Sequence, residues 1–138
     1  MSIDAKLYKS FIESLDLEEI FLDSLKVKNY HLPKPRNLTV KLEPEFGISK
    51  IFKDSFFASA KFQVIVSDDK ERKAFVIDAR FRLLYNFESS ITIDDEMQEK
   101  FMATTLPVNS WPFAREIISS MTTRMGYPSL LIAPFKVY

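Results

Sequence analysis

The stretch SFFASAKFQVIVSDDKERKAFVIDARFRLLYNF, residues 55–87, decides the fold of this chain. In its first half Phe56, Ala58, Ala60, Phe62, Val64 and Val66 alternate with Ser59, Lys61 and Gln63, with Phe57 and Ile65 at the ends of that second face. In its second half Phe75, Ile77, Ala79, Phe81, Leu83, Tyr85 and Phe87 alternate with Val76, Asp78, Arg80, Arg82, Leu84 and Asn86. A period of two is the period of a β-strand, so strands are predicted over residues 55–66 and 73–87. One face of each is apolar and the other carries the charges. That asymmetry marks an antiparallel sheet covered on one side only. The turn SDDKER makes the two strands adjacent neighbours.

Upstream, Leu38, Val40 and Leu42 share a face of a further strand, interrupted by Pro44 and Gly47. Before it, HLPKPR carries Pro33 and Pro35, which cannot donate to a ladder, so it reads as an extended connection crossing an edge of the sheet. Residues 18–30, EEIFLDSLKVKNY, alternate in two halves of opposite parity, and a bulge near Asp23 reconciles them. Ile3, Leu7, Tyr8, Phe11, Ile12 and Leu15 form one helical stripe over residues 3–15, with Ser2 or Asp4 as cap.

Downstream, DDEMQEKFMATT predicts a short helix starting near Asp94, closed off by Pro107. A longer helix is predicted from Ser110 to Met125, with Asn109 or Ser110 as cap, Pro112 in the first turn and Gly126 at the left-handed C′ position. The tail that follows, with Leu130, Leu131, Ile132 and Phe135, is extended by Pro128 and Pro134. So much apolar surface needs cover, from its own domain and from a second subunit. The expected architecture is therefore α+β: a four-stranded antiparallel sheet with helices packed on one face, in a single domain over 1–138.

Composition narrows the function. Of 138 residues 46% are hydrophobic, enough for a real core, and 19 basic against 19 acidic residues leave no net charge. That balance argues against nucleic acid as partner, whose binders carry a basic excess. No apolar run reaches the roughly 18 residues of a membrane span. The N-terminus lacks the pattern of a signal peptide, and there is no cysteine, so a cytoplasmic protein is expected.

Catalytic chemistry finds little footing. His31 is the sole histidine and lies in the proline-flanked connection, where nothing holds it against a serine and a carboxylate. One histidine and no cysteine make a poor metal set, and no glycine-rich phosphate loop implies a cofactor. Asp94, Asp95 and Glu96 read as a helix N-terminus, Asp68 and Asp69 as turn residues, and Arg80 and Arg82 as a solvated face. No enzyme, no cofactor and no metal is predicted.

WPFAREIISSMTTRMGYPSLLIAPF, residues 111–135, resembles the C-terminal signature of the SecB protein-export chaperone family. Trp111, Pro112, Phe113, Ala114, Arg115 and Glu116 match an aromatic-Pro-aromatic-Ala-Arg-Glu run. Gly126, Tyr127, Pro128, Leu130, Ile132, Pro134 and Phe135 match the segment that follows the family's long helix. LEEIFLDSLKVKN, LTVKLEP, the hairpin to Phe87 and IDDE are similar to the rest, so the resemblance covers residues 17–135. The extra N-terminal helix, residues 2–16, lies outside the pattern.

The resemblance implies a dimer or a dimer of dimers, and a holdase that keeps unfolded or preprotein chains in an apolar groove without nucleotide. It places that groove between the second strand, the crossover and the helix, and nominates Leu32, Val40, Leu42, Trp111 and Phe113 as client-binding residues. It also implies docking of the SecA motor on an acidic sheet face. Here that docking is expected to be weakened, because Ser24 and Lys28 stand at positions that family members fill with acids and the sequence ends at Tyr138 without the family's acidic tail. Glu71 remains acidic. These departures suit the alternatives: a dedicated chaperone of one partner, such as an antitoxin, or a non-catalytic interaction subunit.

Overall fold

A computed structural model describes residues 5–135, and the proposed caps Ser2 and Asp4 lie outside them. Helix α1 spans Ala5–Ser14 and is followed by strands β1 (Asp16–Asn29), β2 (Thr39–Ile51), β3 (Ser55–Ser67) and β4 (Lys73–Asn86). Helices α2 (Asp95–Ala103) and α3 (Thr105–Arg124) complete the chain order. The four strands form one antiparallel sheet in the order β1-β4-β3-β2. The 55–87 hairpin is thus the centre of the sheet, with Phe62 opposite Ala79 and Val64 opposite Ile77.

The alternation seen in the sequence is the alternation of burial. Phe56, Phe62, Val64, Phe75, Ile77, Leu83 and Tyr85 are all buried on one face, under Phe11, Met97, Phe101, Leu106, Ala114 and Ile118 from the three helices. Phe11 of α1 sits at 1% exposure. Its ring lies 6.2–6.3 Å from those of Phe56, Phe87 and Phe101, which makes α1 part of the core. The opposite face is polar. There Arg82 lies 4.2 Å over the Phe57 ring and Lys61 stands 3.9 Å from Asp78, so the solvated charges are partly occupied with their own neighbours.

The expected bulge in β1 is present, as a register shift between Leu22 and Ser24, and a second one falls between Leu17 and Glu19. Two proline readings need correction. The second strand is not interrupted: β2 runs straight through Pro44 and Gly47. It is an edge strand, and a residue without an N–H is tolerated there when the missing donor faces away from the ladder. Gly47 passes close to Ser59, since a Cβ at that position would stand 3.2 Å from Ser59 Oγ.

Likewise α3 starts at Thr105, five residues before the predicted Ser110, and Pro107 lies inside it. The first four N–H groups of a helix have no intrahelical acceptor, so proline in the first turn forfeits nothing. Pro112 is then interior. Its lost bond is to the carbonyl of Val108, a residue 48% exposed to water. Asn109 and Ser110 therefore do not cap. Asn109 Nδ2 donates to Tyr85 Oη at 2.9 Å, and Ser110 Oγ donates back to the Leu106 carbonyl at 2.8 Å. Burial pushes the Tyr85 phenol up to about 12 against that amide donor, so the contact persists through neutral pH.

The other helix signals hold. Asp94 caps α2, its Oδ1 accepting from the Met97 N–H at 2.8 Å. Gly126, at φ 89°, ends α3. The Tyr127 N–H donates to the Thr122 carbonyl and the Gly126 N–H to that of Thr123, the paired closure of a Schellman motif.

Candidate client-binding groove

Helix α3 lies over β3 and β4, and its direction follows from its ends. Asn109 meets Tyr85 at one end of the sheet, and the Tyr127 ring lies tilted 4.9 Å from that of Phe75 at the other. The helical layer is narrower than the sheet. On the helix side of β2, Val40 is 40% exposed while Leu42, Phe46 and Ile48 are half-buried. On the helix side of β1, Leu22 and Val27 are similarly exposed. Two apolar flanks result, one on each side of α3.

The β2 flank is where the C-terminal strap runs. From Tyr127 the chain turns back along α3 in extended form. Trp111 Nε1 donates to the Ala133 carbonyl at 2.6 Å and Arg115 Nε to the Ile132 carbonyl at 2.9 Å. Ser119 and Ser129 are joined through their hydroxyls. The Phe135 ring lies 5.1 Å from Trp111, whose other side meets Phe62 at 5.4 Å. Ile132 drops into the core at 7% exposure while its neighbour Leu131 stands out at 72%. The tail's cover is thus largely supplied by its own chain. Side-chain donors hold main-chain carbonyls, a mode of binding that reads backbone and not sequence.

The five nominated residues do not form one cluster. Val40 and Leu42 lie on the β2 flank, and Trp111 faces that flank through Phe62 and the strap. Leu32 lies where the crossover meets the end of α3, in a cleft shared with Tyr127 and Pro128. Phe113 is apart: two residues after Trp111 on a helix it is turned by about 200°, and its ring approaches Phe81, the β4 partner of Leu22. It belongs to the β1 flank. Sequence reasoning missed Phe46, Ile48 and Arg115. The two β2 residues keep the parity of Val40 and Leu42 across Pro44, a signal that was present once Pro44 is accepted within an edge strand. Nothing local in the sequence marks Arg115 as a donor to the strap.

His31 is exposed, and its backbone N–H donates to Asn29 Oδ1. Among the described residues its imidazole makes no hydrogen bond, and no group of three His, Cys, Asp or Glu side chains is placed to hold a metal ion. No described helix is long and apolar enough to cross a membrane.

Comparison with known proteins identifies this architecture. The chain is 26% identical to the protein-export protein SecB of Acinetobacter baylyi over 130 residues, covering 87% of this chain and 79% of that one. It is 24% identical to that of a Wolbachia species over 138 residues, at 94% and 82% coverage. For the protein of Rickettsia rickettsii the identity is 25% over 95 residues, and the match spans 60% of that relative's length. Among solved structures it superposes with a TM-score of 0.87 on the SecB-like chaperone of Mycobacterium tuberculosis, solved in complex with a peptide from the HigA1 antitoxin. That match covers 96% of this chain and 99% of the other at 18% identity. The family model of the preprotein translocase subunit SecB matches residues 7–137, beginning within α1, and the chain belongs to the SecB family.

Proposed function

We propose that this protein is an ATP-independent holdase that keeps unfolded or preprotein chains from folding or aggregating, working in the cytoplasm. The observation that carries it is the β2 flank. An apolar strip at the edge of the sheet stays partly open beside the chain's own strap, which Trp111 and Arg115 hold in extended form through its carbonyls. An unfolded client exposes apolar side chains and unpaired backbone. Val40, Leu42 and Leu32 cover the first, and the free β2 edge offers ladder partners to the second. Trp111 acts through the strap that it holds. Each contact is weak, and several subunits engaging one client add through effective concentration.

The β1 flank serves assembly in this reading, as a dimer or a tetramer. Leu22, Val27 and Phe113 are the apolar part. Strand β1 is acidic in its first half, at Asp16, Glu18 and Glu19, and basic in its second, at Lys26 and Lys28. An antiparallel two-fold copy therefore sets acids opposite bases. The same strand shows Ser24, Lys26 and Lys28 on the polar sheet face, which disfavours docking of the SecA motor. A dedicated chaperone of one antitoxin is the second reading. It is favoured by that non-acidic face and by likeness to a chaperone solved with an antitoxin peptide. A toxin–antitoxin pair encoded beside this gene decides for it.

Light scattering of a chemically denatured model protein, diluted into buffer with this protein, tests the main reading. Aggregation is expected to be suppressed at about one assembly per client. Val40→Asp, at an exposed edge position, is expected to keep the fold and to weaken binding about fivefold, the equivalent of losing about 1 kcal/mol of apolar contact. Aggregation unchanged at excess protein overturns the holdase reading.

A further inference from the structure

On the reading that clients lie along the β2 flank, we propose that the end of the groove at the crossover selects clients carrying an acidic segment beside the apolar one. The crossover separates its residues between two neighbouring clefts. Leu32 and Pro35 line the apolar one, with Tyr127 and Pro128 where the strap begins. Pro33, Lys34 and Arg36 line the other, a cleft of about 340 Å³ completed by Asp69, Lys70 and Arg72 of the β3–β4 turn. A chain leaving the groove past Tyr127 meets these cations within a few residues, at about 3.3 Å per extended residue.

The cations of this cleft are unequal. Arg72 is committed, its Nη2 2.7 Å and its Nε 2.8 Å from Asp68 Oδ2. Lys34, Arg36 and Lys70 are exposed, and none stands within 4.0 Å of a carboxylate among the described residues. The one carboxylate in the lining, Asp69, accepts from Asn37 Nδ2 at 3.3 Å. Left-handed backbone at Lys34 (φ 46°) and Asn37 (φ 54°) shapes the loop that presents them.

The chain has equal numbers of acids and bases, so a surplus of free cations here implies a deficit elsewhere. That deficit lies at the other end of the sheet, with Asp94, Asp95, Glu96 and Glu99 of the α2 region and with Asp16 and Glu18. The neutral chain is thus electrically polarised along the groove, and the positive pole is at the crossover. The turn's own Asp69 and Glu71 stand against a long polyanion, which leaves a short acidic stretch of polypeptide as the fitting occupant. Exposed charges of this kind contribute modestly each and act together as selectivity and steering.

Fluorescence anisotropy on the full chain tests this, using labelled peptides that share one apolar centre and differ in their flanks: acidic, basic or serine. At low ionic strength the acid-flanked peptide is expected to bind about tenfold tighter than the lysine-flanked one, and the two are expected to converge at about 0.5 M salt. The double variant K34E/R36E, confirmed as folded by circular dichroism, is expected to lose or invert that preference and to bind the serine-flanked peptide as before. Equal affinity for acidic and basic flanks, with serine-flanked binding intact, overturns the selection and leaves the holdase reading standing. Failure of every peptide to bind overturns both. An RNA oligonucleotide that displaces the acid-flanked peptide from the native protein, and does not bind the double variant, assigns the cleft to nucleic acid and overturns the proposal.

Discussion

The Asp68 carboxylate has no side-chain surface exposed to water, yet it is the anchor of the β3–β4 turn. Desolvation pushes its pKa up. The N–H of Arg72, the Arg72 guanidinium and the N–H of Lys70 outweigh that and hold it below the ordinary 3.8. A carboxyl whose folded pKa is depressed stabilises the fold above its unfolded value, and that contribution is lost as pH falls through the folded pKa. Asp68→Asn is therefore expected to lower the Tm at pH 7, because its amide places a donor against the guanidinium. The difference from the native protein is expected to shrink as pH drops below 3.8, which thermal melts across the acid range measure. The sequence identified Asp68 as a turn residue. It did not reveal the ion pair, because an i,i+4 spacing inside a turn brings two side chains together only when the backbone closes as this one does, with Glu71 at φ 61°.

At the scale of elements, the strap is the most informative segment. It has little regular hydrogen bonding of its own beyond the Tyr127 N–H, so it is held by Trp111, Arg115 and the burial of Ile132. Ile132→Ala is expected to cost about 2 kcal/mol, the low end for a buried isoleucine because an edge segment relaxes into the space. Trp111 is the only tryptophan, so its emission is a direct report. Loosening of the strap in Ile132→Ala is expected to shift it to the red, and an unchanged spectrum with an unchanged melt speaks against the strap as a structural element. The strands were legible because a two-residue period survives any neighbour. The continuation of β2 past Pro44 and the start of α3 at Thr105 escape the sequence reading for one shared reason: proline reads as a break even at positions where its missing N–H has no acceptor to lose.

At the scale of the molecule, two open flanks on either side of α3 organise the proposed roles, the β2 flank for clients and the β1 flank for a second copy. Val27→Glu puts a carboxylate into the apolar part of the β1 flank, where the isolated chain leaves room for it. It is expected to leave the chain folded and to shift sedimentation at micromolar concentration from assembly towards monomer. A native protein that sediments as a strict monomer at that concentration refutes the proposed use of this flank.

By itself the sequence determined the antiparallel sheet, its buried face, the start of α2 near Asp94, the end of α3 at Gly126 and, through the double motif of residues 111–135, the family. These are local properties, set by periodicity and by φ preferences that act within a few residues. Only the tertiary structure decided that α3 covers the middle of the sheet and leaves both margins open. It also decided that Trp111 and Phe113, two residues apart in one motif, face different flanks. The physical reason is the width of the layers. Helix α3 is about 10 Å across and four strands at about 4.8 Å spacing are wider, while α1 and α2 pack at the end of the sheet near Phe56 and Tyr85, so what lies exposed depends on where the helices land, which no local pattern encodes.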